Sequence, residues 1–242
     1  MKILYVVSTL KRCGPTNQLF NLIKYLDRKR FEPHLITLSP EPKDTRWKDF
    51  KSKNVNLYSL SLPRIFGFFL AKHKLIHLIR KIRPELIHTQ GFRADILSSR
   101  LNKNIPKITT IHNYPQKDYL MRYGRIQGRL MLNKHISAFR KLDLCIGVSR
   151  SVEKNINHLF SINNTINIPN GIDTEHFNSK KENKTKLRKK LNLPINANIW
   201  ISSGHLSFLK DPLFLISQWK KNYSKKENNV LLFIGDGELE KE

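Results

Sequence analysis

The sequence predicts an α/β fold made of parallel, doubly wound sheets. Short apolar runs rich in β-branched residues alternate with helical apolar patterns along almost the whole chain, and this alternation is typical of β–α units in a parallel sheet. Residues 3–7 are apolar at every position rather than at every second one, which indicates a strand buried on both faces. A disordered chain is excluded, because 39% of the 242 residues are hydrophobic.

The first part of the chain contains seven predicted strands and five predicted helices. Strand patterns occupy residues 3–8, 33–38, 55–60, 85–89, 107–112, 142–149 and 165–168. The first helix follows a turn at residues 11–15 and has an apolar stripe formed by Leu19, Phe20, Leu22, Ile23 and Leu26. Further helical patterns cover residues 68–82, 94–101, 120–139 and 152–160.

The composition changes after Asp173. Residues 179–190 contain seven Lys or Arg and no strand pattern, which is typical of a linker or a solvated helix. The β–α pattern then starts again, with strands at 198–203 and 230–234 around a helix at 212–223. We predict a first domain at 1–173, a basic linker at 174–196 and the start of a second domain at 197–242. We expect that second domain to be truncated, because 46 residues fall short of the ~100–150 of a typical domain.

The charge balance is strongly basic. Lys and Arg number 44 against 19 Asp and Glu, a net charge of +25, which favours an anionic partner such as nucleic acid, an acidic membrane surface or a phosphorylated substrate. The only cysteines are Cys13 and Cys145, too few for a disulfide framework. Neither a leader segment nor a transmembrane segment is evident, so we predict a cytoplasmic protein with reduced thiols.

Four short motifs fall where predicted strands end, the edge at which parallel sheets bind ligands. They are the turn at 13–18, His112 with Asn113, the Pro-Asn-Gly-Ile-Asp run at 169–173, and Ser-Gly-His-Leu at 203–206 with Lys210. In the first turn we expect Gly14 to adopt a positive φ and to open an anion site at a helix N-terminus. An ordinary turn with Pro15 in the first helical turn explains the same residues.

In this order the motifs resemble the retaining nucleotide-sugar glycosyltransferases of family 4, and the resemblance spans residues 1–237. It implies the GT-B architecture, with two Rossmann-like parallel-sheet domains, the first for the acceptor and the second for the donor. It also implies transfer of a hexose from a nucleotide-diphosphate sugar to a lipid-linked or cell-surface polysaccharide acceptor, of the lipopolysaccharide, O-antigen or capsule type. No divalent metal is implied, since side chains and a helix dipole meet the phosphate charge in this family.

The resemblance also assigns roles to residues. His112 is expected to face the donor sugar as the catalytic residue. Gly14, His205 and Lys210 are expected to bind the donor phosphate. The donor cleft is expected to be lined by Asn170, Gly171, Asp173, Gly204, Gly235 and Gly237. Candidates on the acceptor side are Cys13, Thr16, Asn17 and His88. The chain departs from the family pattern at His205, where an arginine is expected, and at Cys13, where a glycine is expected.

Two other interpretations of the chain remain open. A non-catalytic remnant would keep only the domain that binds acceptor or membrane. A nucleic-acid-binding protein would explain the charge, but the sequence has no helix-turn-helix pattern, no Cys/His finger and no aromatic RNP-like strand. His73 and His77 share one helix face among lysines with no acidic neighbour, so we predict no metal site there.

A membrane surface is a further predicted partner. Residues 61–141 carry 17 basic and 3 acidic side chains, and the segment 65–70 is apolar and aromatic with Lys72 and Lys74 beside it. Such a helix suits an anionic bilayer, which would place the protein peripherally at the inner face of the cell membrane. Basic, solvated helices explain the same composition.

Overall fold

The computed structural model describes residues 1–63, 67–102, 104–178, 183–223 and 228–242. Residues 65 and 66 of the predicted membrane-facing segment lie outside this part, as do residues 179–182 of the basic run. The strands are β1 Lys2–Val7, β2 Glu32–Thr37, β3 Asn56–Ser59, β4 Leu86–Gln90, β5 Lys107–Ile111, β6 Leu144–Gly147, β7 Thr165–Asn167, β8 Asn198–Ser203 and β9 Asn229–Ile234. The helices are α1 Gly14–Lys24, α2 Trp47–Lys51, α3 Gly67–Ile82, α4 Phe92–Ser98, α5 Pro115–Phe139, α6 Arg150–Phe160, α7 Lys184–Lys190 and α8 Pro212–Tyr223.

The chain divides into two compact units, Met1–Asp173 and Thr174–Glu242. The first unit has a seven-stranded parallel sheet in the order β3-β2-β1-β4-β5-β6-β7. The strand order reverses beside β1, which pairs with both β2 and β4. The predicted fold class of doubly wound parallel sheets is confirmed, and the reversal point is where such sheets bind ligands.

Alternating side chains of β1 belong to two different cores. Ile3, Tyr5 and Val7 pack with α1 and α2, whereas Leu4 and Val6 pack with α3 and α4. This alternation follows from the two-residue period of a strand and explains why the run is apolar throughout. A third cluster joins β5 and β6 to α5 and α6. Apolar packing thereby fixes the helices to the sheet and holds the strands in place up to their carboxyl ends.

Helix α5 differs most from its predicted form. Its two halves, 115–123 and 125–139, meet at Gly124, whose φ is 73°. Oη of Tyr119 lies 2.6 Å from Nδ1 of His135, although sixteen residues of straight helix would separate them by about 24 Å. The halves therefore double back on each other as a helical hairpin. At the crossing, a Cβ on Gly128 would lie 2.5 Å from the carbonyl oxygen of Tyr119.

Helix α2 was not predicted, because its five residues are too few to show a helical period. The second unit contains a two-stranded parallel sheet of β8 and β9 together with α7 and α8. Helix α7, Lys184–Lys190, lies in the predicted basic linker and has no buried residue. Across the described ranges, no helix combines the length and apolarity needed to cross a membrane.

Candidate active site

A cavity of about 410 Å³ opens at the carboxyl edge of the large sheet. Helix α1, strands β4 to β6 and the segment after β7 form its walls. The residues that line it are Gln18, Asn21, Leu22, Tyr25, Leu26, Asp27, His88, Gln90, Thr110, His112, Ile146, Ile168, Pro169, Asn170, Gly171 and Ile172. Four of the predicted site residues are therefore brought together here, namely His88, His112, Asn170 and Gly171.

His112 follows β5 directly and lines the cavity. Its Nε2 is out of contact with solvent and makes no hydrogen bond within the described part of the chain. Burial lowers the pKa of His112, and the charge of Asp95 opposes that effect only in part. The imidazole is therefore neutral near pH 7. A buried polar atom without a hydrogen-bond partner is uncommon, and this one belongs to a side chain in the wall of the cavity.

His88 stands on the neighbouring strand β4 and is fixed more tightly. Its Nε2 lies 2.8 Å from Oγ1 of Thr110, and its ring packs against Tyr5 with the centroids 5.3 Å apart. Burial lowers the pKa of His88 to about 4. The imidazole of His88 is thus neutral, and its contacts with Thr110 and Tyr5 hold it in the wall of the cavity.

A buried polar network lies behind these two strands. Nε2 of His135 is 2.7 Å from Oδ2 of Asp95, the other carboxylate oxygen of Asp95 accepts a hydrogen bond from Thr89, and Tyr119 completes the chain through His135. Asp95 is 1% exposed, and its charge raises the pKa of both His88 and His112 against the effect of burial. The network ties α4 and α5 to β4, and no motif in the sequence predicted it.

The turn before α1 differs from the prediction. Gly14 does not have a positive φ, and a Cβ there would meet nothing within 4 Å, so the backbone conformation does not require glycine. Cys13 is exposed, and its Sγ lies 3.3 Å from Oγ1 of Thr16. Asn17 accepts a hydrogen bond from Arg46 at 2.9 Å. None of these four predicted residues lines the cavity.

Helix α1 reaches the cavity farther along, through Gln18, Asn21, Leu22 and Tyr25. These residues recur at the three- and four-residue spacing of one helix face, and this spacing was visible in the sequence. Leu22, predicted as part of the apolar stripe of this helix, is 44% exposed because it lies on this face. The polar residues beside the apolar stripe of this helix were the sequence signal for the cavity wall, and the prediction did not use them.

The Pro-Asn-Gly-Ile-Asp segment is divided between two roles. Asn170 and Gly171 line the cavity, but Asp173 is not among its lining residues. Oδ2 of Asp173 lies 2.5 Å from Nζ of Lys24 at the end of α1, and this hydrogen bond raises the pKa of Lys24. Asp173 therefore ties the end of this segment to α1.

In the second unit, glycines follow both strands of the small sheet. A Cβ on Gly235 would lie 2.0 Å from the carbonyl oxygen of Gly204, and one on Gly237 would lie 2.2 Å from that of Leu206. Two hydrogen bonds join the loops, from the amide of Gly204 to the carbonyl of Ile234 and from the amide of Leu206 to the carbonyl of Asp236. Only glycine allows such close backbone contact, so Gly235 and Gly237 shape this loop pair.

His205 lies on the same loop pair, between two acidic side chains. Its Nδ1 is 3.4 Å from Oδ1 of Asp236, and its Nε2 is 3.8 Å from Oε2 of Glu238. These carboxylates compete with any phosphate for the imidazole. Lys210 is exposed, in the turn before α8. In the described ranges, no group of three His, Cys, Asp or Glu side chains is arranged to hold a metal ion.

The chain is similar to several known glycosyltransferases. Two O-antigen biosynthesis glycosyltransferases WclY of Escherichia coli are 28% and 31% identical over 98% and 100% of this chain, which spans 62% and 63% of their length. Anabaena HepE, solved in complex with UDP, matches 98% of the chain with a TM-score of 0.74 at 17% identity, and the match spans 61% of HepE. The lipopolysaccharide outer core galactosyltransferase WaaB matches 98% of it with a TM-score of 0.61 at 13% identity, over 62% of WaaB.

The two structural matches share the fold, with two Rossmann-like units of the GT-B architecture. The sequence match is more specific. The sequence model described as Glycosyltransferase Family 4 matches residues 13–176, which covers more than half of the chain and includes every lining residue of the cavity. The chain therefore belongs to glycosyltransferase family 4.

Proposed function

We propose that this chain forms the acceptor-binding unit and part of the donor-binding unit of a glycosyltransferase. The enzyme would transfer a hexose from a nucleotide-diphosphate sugar to a lipid-linked or cell-surface polysaccharide acceptor. The WclY relatives are named for O-antigen biosynthesis, and WaaB is named as a lipopolysaccharide galactosyltransferase. These names support an acceptor of the lipopolysaccharide type. A lipid-linked acceptor would place the transfer reaction at the inner face of the cell membrane.

The observation that carries the proposal is the placement of His112 in the wall of the cavity, with a buried Nε2 that makes no hydrogen bond within the described residues. A neutral imidazole can accept a hydrogen bond from a sugar hydroxyl or donate one to it, depending on its tautomer. His112 directly follows β5, which places this side chain at the carboxyl edge of the sheet. Such a group can hold the hexose in one orientation as the bond to the diphosphate breaks.

The leaving diphosphate needs positive charge as it departs. We assign that role to Lys210, with a smaller contribution from His205. His205 cannot form the bidentate contact of an arginine with phosphate, and Asp236 and Glu238 face it. Lys210 therefore contributes the larger share. Retention of the sugar configuration follows from the family alone, and no nucleophile is assigned.

The donor is proposed to be a nucleotide sugar because two structures of the similar Anabaena HepE contain UDP, one of them together with glucose. The test is the release of nucleoside diphosphate from a panel of nucleotide-diphosphate hexoses in the presence of glycolipid extract. Release of nucleoside diphosphate from one donor, only when the glycolipid extract is present, would support the proposal. Failure of every donor, together with salt-sensitive binding of DNA or RNA, would instead favour the nucleic-acid alternative.

A further inference from the structure

One buried carboxylate, that of Asp95 in α4, lies at the centre of the polar network behind the cavity. The side chain is 1% exposed. Its Oδ1 accepts a hydrogen bond from Oγ1 of Thr89, and its Oδ2 lies 2.7 Å from Nε2 of His135. Moving a carboxylate out of water is costly even when it is hydrogen-bonded, and an apolar side chain would pack there without that cost. Such departures from an apolar core are expected at functional sites.

The first contact of Asp95 leads to the strand that comes before His112. Thr89 belongs to β4, and its Oγ1 also lies 3.2 Å from the carbonyl oxygen of Ile108. Ile108 belongs to β5, where it pairs with His88 of β4. His112 follows the end of β5 directly. The Thr89 hydroxyl therefore links Asp95 to both strands whose histidines line the cavity.

The second contact of Asp95 leads to the helix that comes after His112. Nδ1 of His135 lies 2.6 Å from Oη of Tyr119, and Tyr119 is a buried residue in the first half of α5. The chain is thus tied to Asp95 at two points, four positions before His112 and seven positions after it. The segment that carries His112 lies between these two points.

We infer that Asp95 is a positioning residue for His112, because it holds both β5 and the first half of α5, between which His112 lies. The inference rests on the proposed function, in which His112 contacts the hexose. A group that orients a substrate needs side chains behind it that hold it in place. With the chain tied on both sides, the imidazole would keep its place in the cavity wall when a sugar binds.

The negative charge of Asp95 supports the same role. Burial lowers the pKa of His112, and the charge of Asp95 opposes this effect. The same two effects act on His88. The other titratable side chains that line the cavity are Tyr25 and Asp27, just after α1. A neutral asparagine in place of Asp95 could keep part of the hydrogen bonding but would not supply this charge.

Nuclear magnetic resonance of the histidine ring nitrogens tests the inference with the 242-residue chain, without donor or acceptor. The signals of His112 are assigned by their loss in His112→Gln. In Asp95→Asn we expect these signals to move, and we expect the neutral imidazole of His112 to persist to lower pH than in the wild type. A network that served stability alone would change the melting temperature but neither of these properties.

The matched control is Asp118→Asn, which removes a carboxylate from α5 of the same unit. Asp118 pairs with Arg122 at 2.8 Å. Its loss should therefore leave the signals and the titration of His112 as they are in the wild type. Unchanged signals and titration of His112 in folded Asp95→Asn would overturn the inference.

Thr89→Val is a second variant, which removes the hydroxyl that links the strands and keeps the carboxylate. The amide protons of β5 should then exchange with solvent about tenfold faster, whereas those of β2 should keep their rate. If Asp95→Asn does not fold, this variant decides: unchanged exchange in β5, or equal acceleration in β2 and β5, would overturn the inference. Because no donor or acceptor is present, these results do not depend on whether the proposed transfer occurs.

Discussion

At the scale of single residues, two histidines near the ends of adjacent strands differ in whether their Nε2 atom already has a hydrogen-bond partner. Nε2 of His88 already has Thr110 as its partner, whereas Nε2 of His112 makes no hydrogen bond in the described part of the chain. Both side chains line one cavity, and burial lowers both pKa values. His88 is thus suited to hold the shape of the cavity, and His112 is suited to contact a substrate.

Replacing His112 by Ala should abolish sugar transfer without unfolding the first unit. The proposed hydrogen bond to the sugar disappears, and losses of about 10²–10⁴-fold are typical for a group that acts in the transition state. Transfer rates and thermal melting of the variant are the measurements. His158→Ala, at an exposed position of α6, is the control and should leave both unchanged. Full turnover by the His112 variant would make this residue structural only.

His88 should make stability depend on pH. Its folded pKa of about 4 lies below its ordinary value of 6.5, so between these values the unfolded chain binds a proton that the folded chain does not. The free energy of unfolding should therefore fall as pH drops from 6.5 towards 4, by at most about 3 kcal/mol from this group.

Urea titrations at several pH values measure this dependence. In His88→Gln the slope between pH 4 and 6.5 should be shallower, while exposed His158→Gln should keep the wild-type slope. An unchanged slope in His88→Gln would show that other groups cause the acid sensitivity.

At the scale of elements, the α5 hairpin follows the cavity residue His112 closely in the sequence. It begins at Pro115, three residues after His112, and Tyr119 fastens its first half to the second through His135. The periodic pattern over 120–139 predicted a helix but not the reversal, because the partners of Tyr119 and Gly128 lie nine to sixteen positions away. The hairpin thus limits the movement of the segment that follows His112.

Tyr119→Phe should destabilise the protein by about 1–3 kcal/mol. The substitution removes one hydroxyl and leaves the buried Nδ1 of His135 without its partner, and an unsatisfied buried polar atom costs about that much. Chemical denaturation is the measurement. Tyr123→Phe is the matched control, since Tyr123 is 41% exposed and surface changes usually stay within about 0.5 kcal/mol. Equal stabilities of the two variants would refute the role of the network.

At the scale of the whole molecule, the chain consists of two compact units that meet between Asp173 and Thr174 in the sequence. The large sheet and the three apolar clusters described here are complete within Met1–Asp173. The ion pair of Lys24 with Asp173 fastens the last residue of that unit to its first helix. We therefore expect the first unit to fold without the second.

Limited trypsin digestion should therefore cut first within 179–190 and leave a resistant fragment of about the first 170 residues. This region is rich in Lys and Arg, and helix α7 within it has no buried residue. Mass spectrometry of the early fragments identifies the sites, and circular dichroism of the purified fragment tests whether it is folded. Early cleavage inside the large sheet, or a resistant core that spans 179–190 uncut, would contradict two independent units.

The sequence by itself determined the alternation of strands and helices, the parallel sheets and the order of the four motifs. These features are local, because burial on both faces imposes apolar runs and each turn needs particular residues. Tertiary structure alone decided which motif residues face the cavity. Asp173 turns to Lys24, 149 positions away, Gly14 occupies an ordinary helical start, and Nε2 of His112 has no hydrogen-bond partner among the described residues. Each of these outcomes depends on contacts between distant segments, which become definite only when the strands pair and the helices pack.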